Sequence, residues 1–239
     1  MAGALALILL AVAAFLPQGL PRGKKEAKLA QIWSTDARIN RLSLARMFLF
    51  GARDVWFVVG VPVYFQSVLA KGGGGHSAFY LIGGFMALWT MAYGAVQAVA
   101  PQVLKAQGAT EGAIVAKAIL WAAWLTPIPL ALAALAFVVP ELQAWFTLAL
   151  VAGLLLFGFV FAVNSSVHSY LILAFTRAER VSMDVGFYYM ANAAGRLLGT
   201  ALSGVSYQLG GLTLCLATAG AMAGASWLSA RRLMSQTAR

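Results

Sequence analysis

Residues 143–173 read QAWFTLALVAGLLLFGFVFAVNSSVHSYLIL, without a single Asp, Glu, Lys or Arg. An α-helix rises about 1.5 Å per residue, so crossing a hydrocarbon core of about 30 Å takes about 20 mostly apolar residues. This run is longer than that. A helix so uniformly apolar belongs in lipid or deep inside a large core. The rest of the chain decides between the two. It has 239 residues, of which 62% are hydrophobic and only 10% charged. Soluble domains carry about 25% charged residues. So few charges cannot cover a water-facing surface, and the chain reads as an all-α integral membrane protein.

Working outward, further spans are expected at 44–70, 77–104, 112–138, 184–208 and 211–230, which with 143–173 make six. Tyr80, Trp145 and Tyr170 near span ends fit interfacial aromatic belts. A shorter apolar run covers 3–16. No charge precedes it, unlike the positive start of a secretory signal. Arg22, Lys24, Lys25 and Lys28 follow it instead. Residues 1–16 therefore read as the tail of a preceding transmembrane helix. Residues 17–43 read as a basic linker, with Arg38 and Arg41 joining those cations against Glu26 and Asp36.

The loop charges agree on one orientation. Placing the linker in the cytoplasm puts Lys105, Arg177, Arg180 and the tail 231–239 (Arg231, Arg232, Arg239) on the same side. The opposite loops carry only Lys71 and Glu141, beside the flexible Gly72–Gly75. That asymmetry is the positive-inside pattern of a plasma membrane protein. It also accounts for the net charge of +10 without nucleic acid. A basic linker followed by a six-helix bundle at 44–230 has the plan of one half of a major facilitator transporter, whose halves hold six helices each. The missing partner would be an N-terminal half.

Several classes lack their signatures. No Walker A sequence is present, so ATP is not the expected driver, and no H-E-x-x-H occurs. No metal or cofactor is expected, and an enzyme is not. The single Cys215 lies among apolar residues and reads as a small buried hydrophobe.

Polar groups at membrane depth normally face a cavity or a partner. Arg53 and Asp54 lie in FGARDVWF. Adjacent helical residues point about 100° apart, so they need not pair with each other. They read either as a brace between helices, or as an anion contact (Arg53) with an orienting or proton-carrying group (Asp54). Asn164 and His168 share a helix face with Phe157 and Phe161. They are either hydrogen-bonded core groups or contacts to substrate. Tyr188, Asn192, Arg196, Thr200 and Ser203 form a polar stripe, in which Asn192 and Arg196 are the candidate substrate contacts. Arg196 lies about 18 Å from the cytoplasmic end. No acid in its helix can neutralise it, so it needs a carboxylate elsewhere, a carbonyl or an anionic substrate; substrate is the favoured reading. Gly195, Gly199 and Ser203 give the small-xxx-small spacing of close helix packing. Trp89, Tyr93 and Gln97 lie on one face, where packing is the simpler reading than a cavity wall.

The stretches SLARMFLFGARDVWFVVGVPVYF (43–65), ALWTMAYGAVQAVAP (87–101), FGFVFAVNSSVHSYLILAF (157–175) and DVGFYYMANAAGRLLGTALSG (184–204) resemble the organoarsenical efflux permeases of the major facilitator superfamily. The resemblance implies export of 1-arseno-3-phosphoglycerate, an unstable ester made when a glyceraldehyde-3-phosphate dehydrogenase uses arsenate in place of phosphate. Export followed by breakdown outside would confer arsenate resistance. That family has about twelve helices, of which this chain would supply the last six. A proton-coupled permease for another metabolite or drug, relying on Asp54 and His168, is the alternative. A non-transporting membrane scaffold or embedded enzyme is the third possibility.

Overall fold

The computed structural model describes residues 33–71, 75–104, 109–139 and 143–237. The apolar run at 3–16, most of the expected linker, and Lys105, Glu141 and Arg239 lie outside the described residues. Those that are described form helices and short connections, with no strand among them. We label the helices α1 (Ala37–Val55), α2 (Val61–Lys71), α3 (Gly75–Leu104), α4 (Glu111–Leu125), α5 (Pro127–Val138), α6 (Ala144–Phe175) and α7 (Val181–Thr237). A π-helical turn, Trp56–Gly60, joins α1 to α2. Five stretches are long and apolar enough to cross a membrane: Ala37–Ala70, Ser77–Gln102, Glu111–Val138, Ala144–Phe175 and Ala178–Met234. The chain is thus a helical protein of membrane character.

The first crossing starts earlier than its hydropathy indicates. Asp36 caps α1, its carboxylate accepting the Arg38 backbone N–H at 2.8 Å. Such a cap satisfies one of the orphan donors at a helix start. Partial burial pushes the Asp36 carboxyl up, but the bonds from Arg38 outweigh it and hold the carboxyl below the usual carboxylate range. Residues 37–43, expected in the linker, therefore form the first two turns of α1. Arg38 is absorbed locally: it bridges Asp36 (2.8 Å) and Glu111 (2.6 Å), with its guanidinium 4.8 Å from the Phe175 ring centroid. Thr176 donates to Asp184 at 3.0 Å. The starts of α1, α4 and α7 and the end of α6 accordingly share one side of the bundle. Tyr64 and Thr147 share a hydroxyl hydrogen bond of 2.8 Å, which joins the far end of the first crossing to the start of α6.

A helix of 57 residues such as α7 would be about 85 Å long if straight, far more than a bilayer. It is not straight. Gly211 has φ 59° and ψ −152°, a left-handed backbone that favours glycine, and Gly210 beside it is also non-helical. The break leaves two arms, 181–209 and 212–237. In the first, Gly195 packs on Met47 and Gly199 on Gly51, while the Ser203 hydroxyl accepts the Val59 N–H at 3.1 Å. Residue numbers rise together, so this arm runs parallel to α1. In the second, Cys215 donates to the Val55 carbonyl and Ser226 to the Ala45 carbonyl. There the numbers run in opposite senses, so the arm returns antiparallel. The helix also continues to Thr237, through residues expected in the tail.

The core is aromatic. Trp56 sits edge-on to Trp89 (5.3 Å) and Phe157 (5.6 Å), and the Trp89 ring N–H donates to the Leu154 carbonyl at 2.9 Å. Trp89 is thus packed into the core, as its stripe suggested.

Candidate functional site

Asp54 lies seventeen residues from each end of 37–71, about 26 Å of helix either way, and so at mid-span. It is 2% exposed. Arg53 doubles back onto it, with Nε and Nη2 each 2.6 Å from Oδ1. Arg196, from the first arm of α7, places Nε 3.2 Å from Oδ2. The parallel packing of the two helices through Gly195 and Gly199 makes this meeting possible. Arg53 also lies over the Phe50, Phe57 and Phe161 rings.

Two cations on one carboxylate leave one net positive charge. The Asp54 side chain is 3% exposed and that of Arg53 13%, but that of Arg196 is 59% exposed. The three edge an open groove of about 390 Å³, lined also by Phe57, Val58, Ala193, Leu197 and Thr200. A cation facing lipid at this depth costs several kcal/mol, so this face has to meet water, a ligand or another polypeptide. Arg196 has therefore found a carboxylate on another helix, the first of the options open to it, and still presents its charge outward.

The polar stripe of α7 divides. Arg196 and Thr200 are exposed, whereas Tyr188 and Ser203 are buried and Asn192 is half-buried, with its Oδ1 unpartnered. Asn164 and His168 are fully buried on α6 and do not reach the groove. Neither amide atom of Asn164 and neither ring nitrogen of His168 has a hydrogen-bond partner among the described residues.

Beside them lies a group not foreseen as functional. Arg46 is 4% exposed. Its Nη1 donates to the Ser165 carbonyl and hydroxyl, both at 2.9 Å, and its Nε has no partner. The guanidinium lies 4.2 Å from the Phe50 ring centroid and 4.9 Å from that of Tyr188. Gln97, from α3, donates to the same Ser165 hydroxyl at 3.0 Å. No carboxylate pairs with Arg46 among the described residues. Each buried polar group left unpaired costs about 1–3 kcal/mol, and a charged one more. The available signal was spacing: Arg46 and Arg53 are seven residues apart, two helical turns on nearly the same face.

No group of three His, Cys, Asp or Glu side chains converges on a metal site among the described residues. What the cluster can do is bind anions, since arginines offer planar, charge-assisted and often bidentate hydrogen bonds. Comparison with protein-family models, curated proteins and solved structures returns no match.

Proposed function

We propose that this membrane protein exports a small organic anion, an organoarsenical of the 1-arseno-3-phosphoglycerate type, and thereby confers arsenate resistance. One observation carries the anion in this reading: Arg53 and Arg196 converge on the buried Asp54 at mid-span and leave a net positive charge on an open groove; the organoarsenical cargo comes from the sequence resemblance. An anion entering the groove takes hydrogen bonds from Arg196 and Arg53 while Asp54 keeps both side chains oriented. The chain then acts as the C-terminal, six-helix half of a major facilitator transporter. Its groove faces an N-terminal half, the geometry in which such sites lie between repeats. The return of the second α7 arm along α1 supports the sixth crossing. Sharing of one side by residues 36–38, Glu111 and 176–184 supports a cytoplasmic face in the plasma membrane. A glyceraldehyde-3-phosphate dehydrogenase would supply the cargo.

The second reading keeps the fold and makes Asp54 a proton carrier for a different metabolite or drug. Its support is that Asp54 is the shared partner of both arginines, so that a proton taken up there would release both at once.

Arg53→Gln and Arg196→Gln separate the two. If an anion is the cargo, each loses about 1.5–3 kcal/mol of charged hydrogen bonding, so efflux falls about tenfold or more. Arsenate resistance at equal protein level in the membrane is the measurement. Wild-type resistance in both variants would remove the arginines from the site.

A further inference from the structure

We propose that Arg46, with Asn164, Ser165 and His168, forms a second anion subsite beside the Arg53–Arg196 groove, so that the ligand is a small organic dianion charged at both ends. The inference rests on reading that groove as an anion site. Both guanidinium groups contact one ring: the Arg46 carbon is 4.2 Å and the Arg53 carbon 5.1 Å from the Phe50 centroid. They can be no farther apart than the sum of those distances, 9.3 Å. That separation suits a three- or four-atom skeleton with a phosphate, arsenate or carboxylate group at each end.

The chemistry at Arg46 is that of an anion receptor. No carboxylate pairs with it among the described residues; around it stand Ser165 and His168 from α6, Tyr188 and Tyr189 from α7, and Tyr93 and, through Ser165, Gln97 from α3. On α1 a second cation, Arg53, acts on it. Unpartnered donors are in place as well, at Arg46 Nε, Asn164 Nδ2 and a ring N–H of His168. A structural arginine would have a carboxylate or a full set of carbonyls, as Arg38 has two carboxylates. An oxyanion supplies up to three acceptors together with the missing charge. Phe50, in contact with both arginines, is the side chain that a bridging ligand displaces.

The test uses the protein purified from the membrane in the assembled form in which it occurs, and two probes: 3-phosphoglycerate, charged at both ends, and inorganic phosphate, charged at one. Calorimetric titration should show the two-ended probe bound about tenfold or more tighter, the increment of one charged hydrogen-bonded contact. Arg46→Gln should erase that margin and leave phosphate binding at the groove unchanged. Asn164→Leu should also erase it, yet raise the melting temperature of the ligand-free protein, because an unpaired buried amide is replaced by an apolar group of similar shape. A merely structural Asn164 would lower it. An unaltered margin in Arg46→Gln, or equal binding of the two probes by the wild type, overturns the subsite alone. Should Arg46→Gln not fold, Asn164→Leu decides: a retained margin with a lower melting temperature overturns the subsite. Binding of neither probe by the wild type overturns the groove reading as well.

Discussion

Asp54→Asn should abolish efflux and destabilise the protein. Asp54 is the sole carboxylate paired with Arg53 or Arg196 among the described residues, and it is almost fully buried. Asparagine keeps the shape and loses the charge. Breaking a buried ion pair by removing one partner costs about 3–5 kcal/mol, because a buried charge is left uncompensated. Here the lower end applies. The Arg196 side chain is 59% exposed, so its share of the pair is weakly held and screened. A loss of about 3 kcal/mol corresponds to a fall of about 6–12 °C in melting temperature for a chain of this size. The double variant Arg53→Gln/Asp54→Asn removes both charges and should recover most of that fall without restoring efflux. That non-additivity is the mark of a direct pair. An Asp54→Asn protein that melts and transports like the wild type would show the triad to be incidental.

Gly195→Ala should have the largest purely structural effect. A Cβ at Gly195 would lie 2.0 Å from the Met47 carbonyl oxygen and 2.7 Å from its carbon. These are backbone atoms, so no side chain can swing away and the two helices must part. Overpacking of this kind costs about 1–3 kcal/mol, and more where nothing can yield. Parting α1 from α7 also pulls Arg196 away from Asp54, so efflux should fall along with the melting temperature. Gly186 is the control, since a Cβ there meets nothing within 4 Å. Alanine at 186 removes a helix-interior glycine and should stabilise by up to about 1 kcal/mol. Equal melting of Gly195→Ala and Gly186→Ala, measured on detergent-purified protein, would contradict the close packing.

Much of this arrangement is legible in the residues, and the parts that are not have physical reasons. The apolar runs mark the spans because lipid tolerates little else. The Gly195, Gly199, Ser203 spacing marks the α1–α7 contact because only small residues let backbones approach. The start of α1 is hidden, since Arg38 and Arg41 lower the local hydropathy although Asp36 caps the helix and Asp36 and Glu111 hold Arg38. Starting the helix at 44 makes Arg46 an interfacial residue. Starting it at Ala37 carries Arg46 nine residues, about 14 Å, into the span. The Arg53–Asp54 pairing is hidden for another reason. Neighbouring Cβ atoms diverge on a helix, but a long arginine side chain can fold back far enough to close the gap. The Asp54–Arg196 pair depends on the register of two helices 142 residues apart in sequence, which no local pattern encodes.

Arsenic accumulation in inside-out membrane vesicles tests anion export most directly. The vesicles come from cells carrying the protein at its native locus, and the cargo is made outside them by glyceraldehyde-3-phosphate dehydrogenase acting on its substrates with arsenate. The expected result is accumulation only when dehydrogenase, its substrates and arsenate are all present, falling to background in vesicles carrying Arg196→Gln. Accumulation equal in vesicles with and without the protein would contradict it.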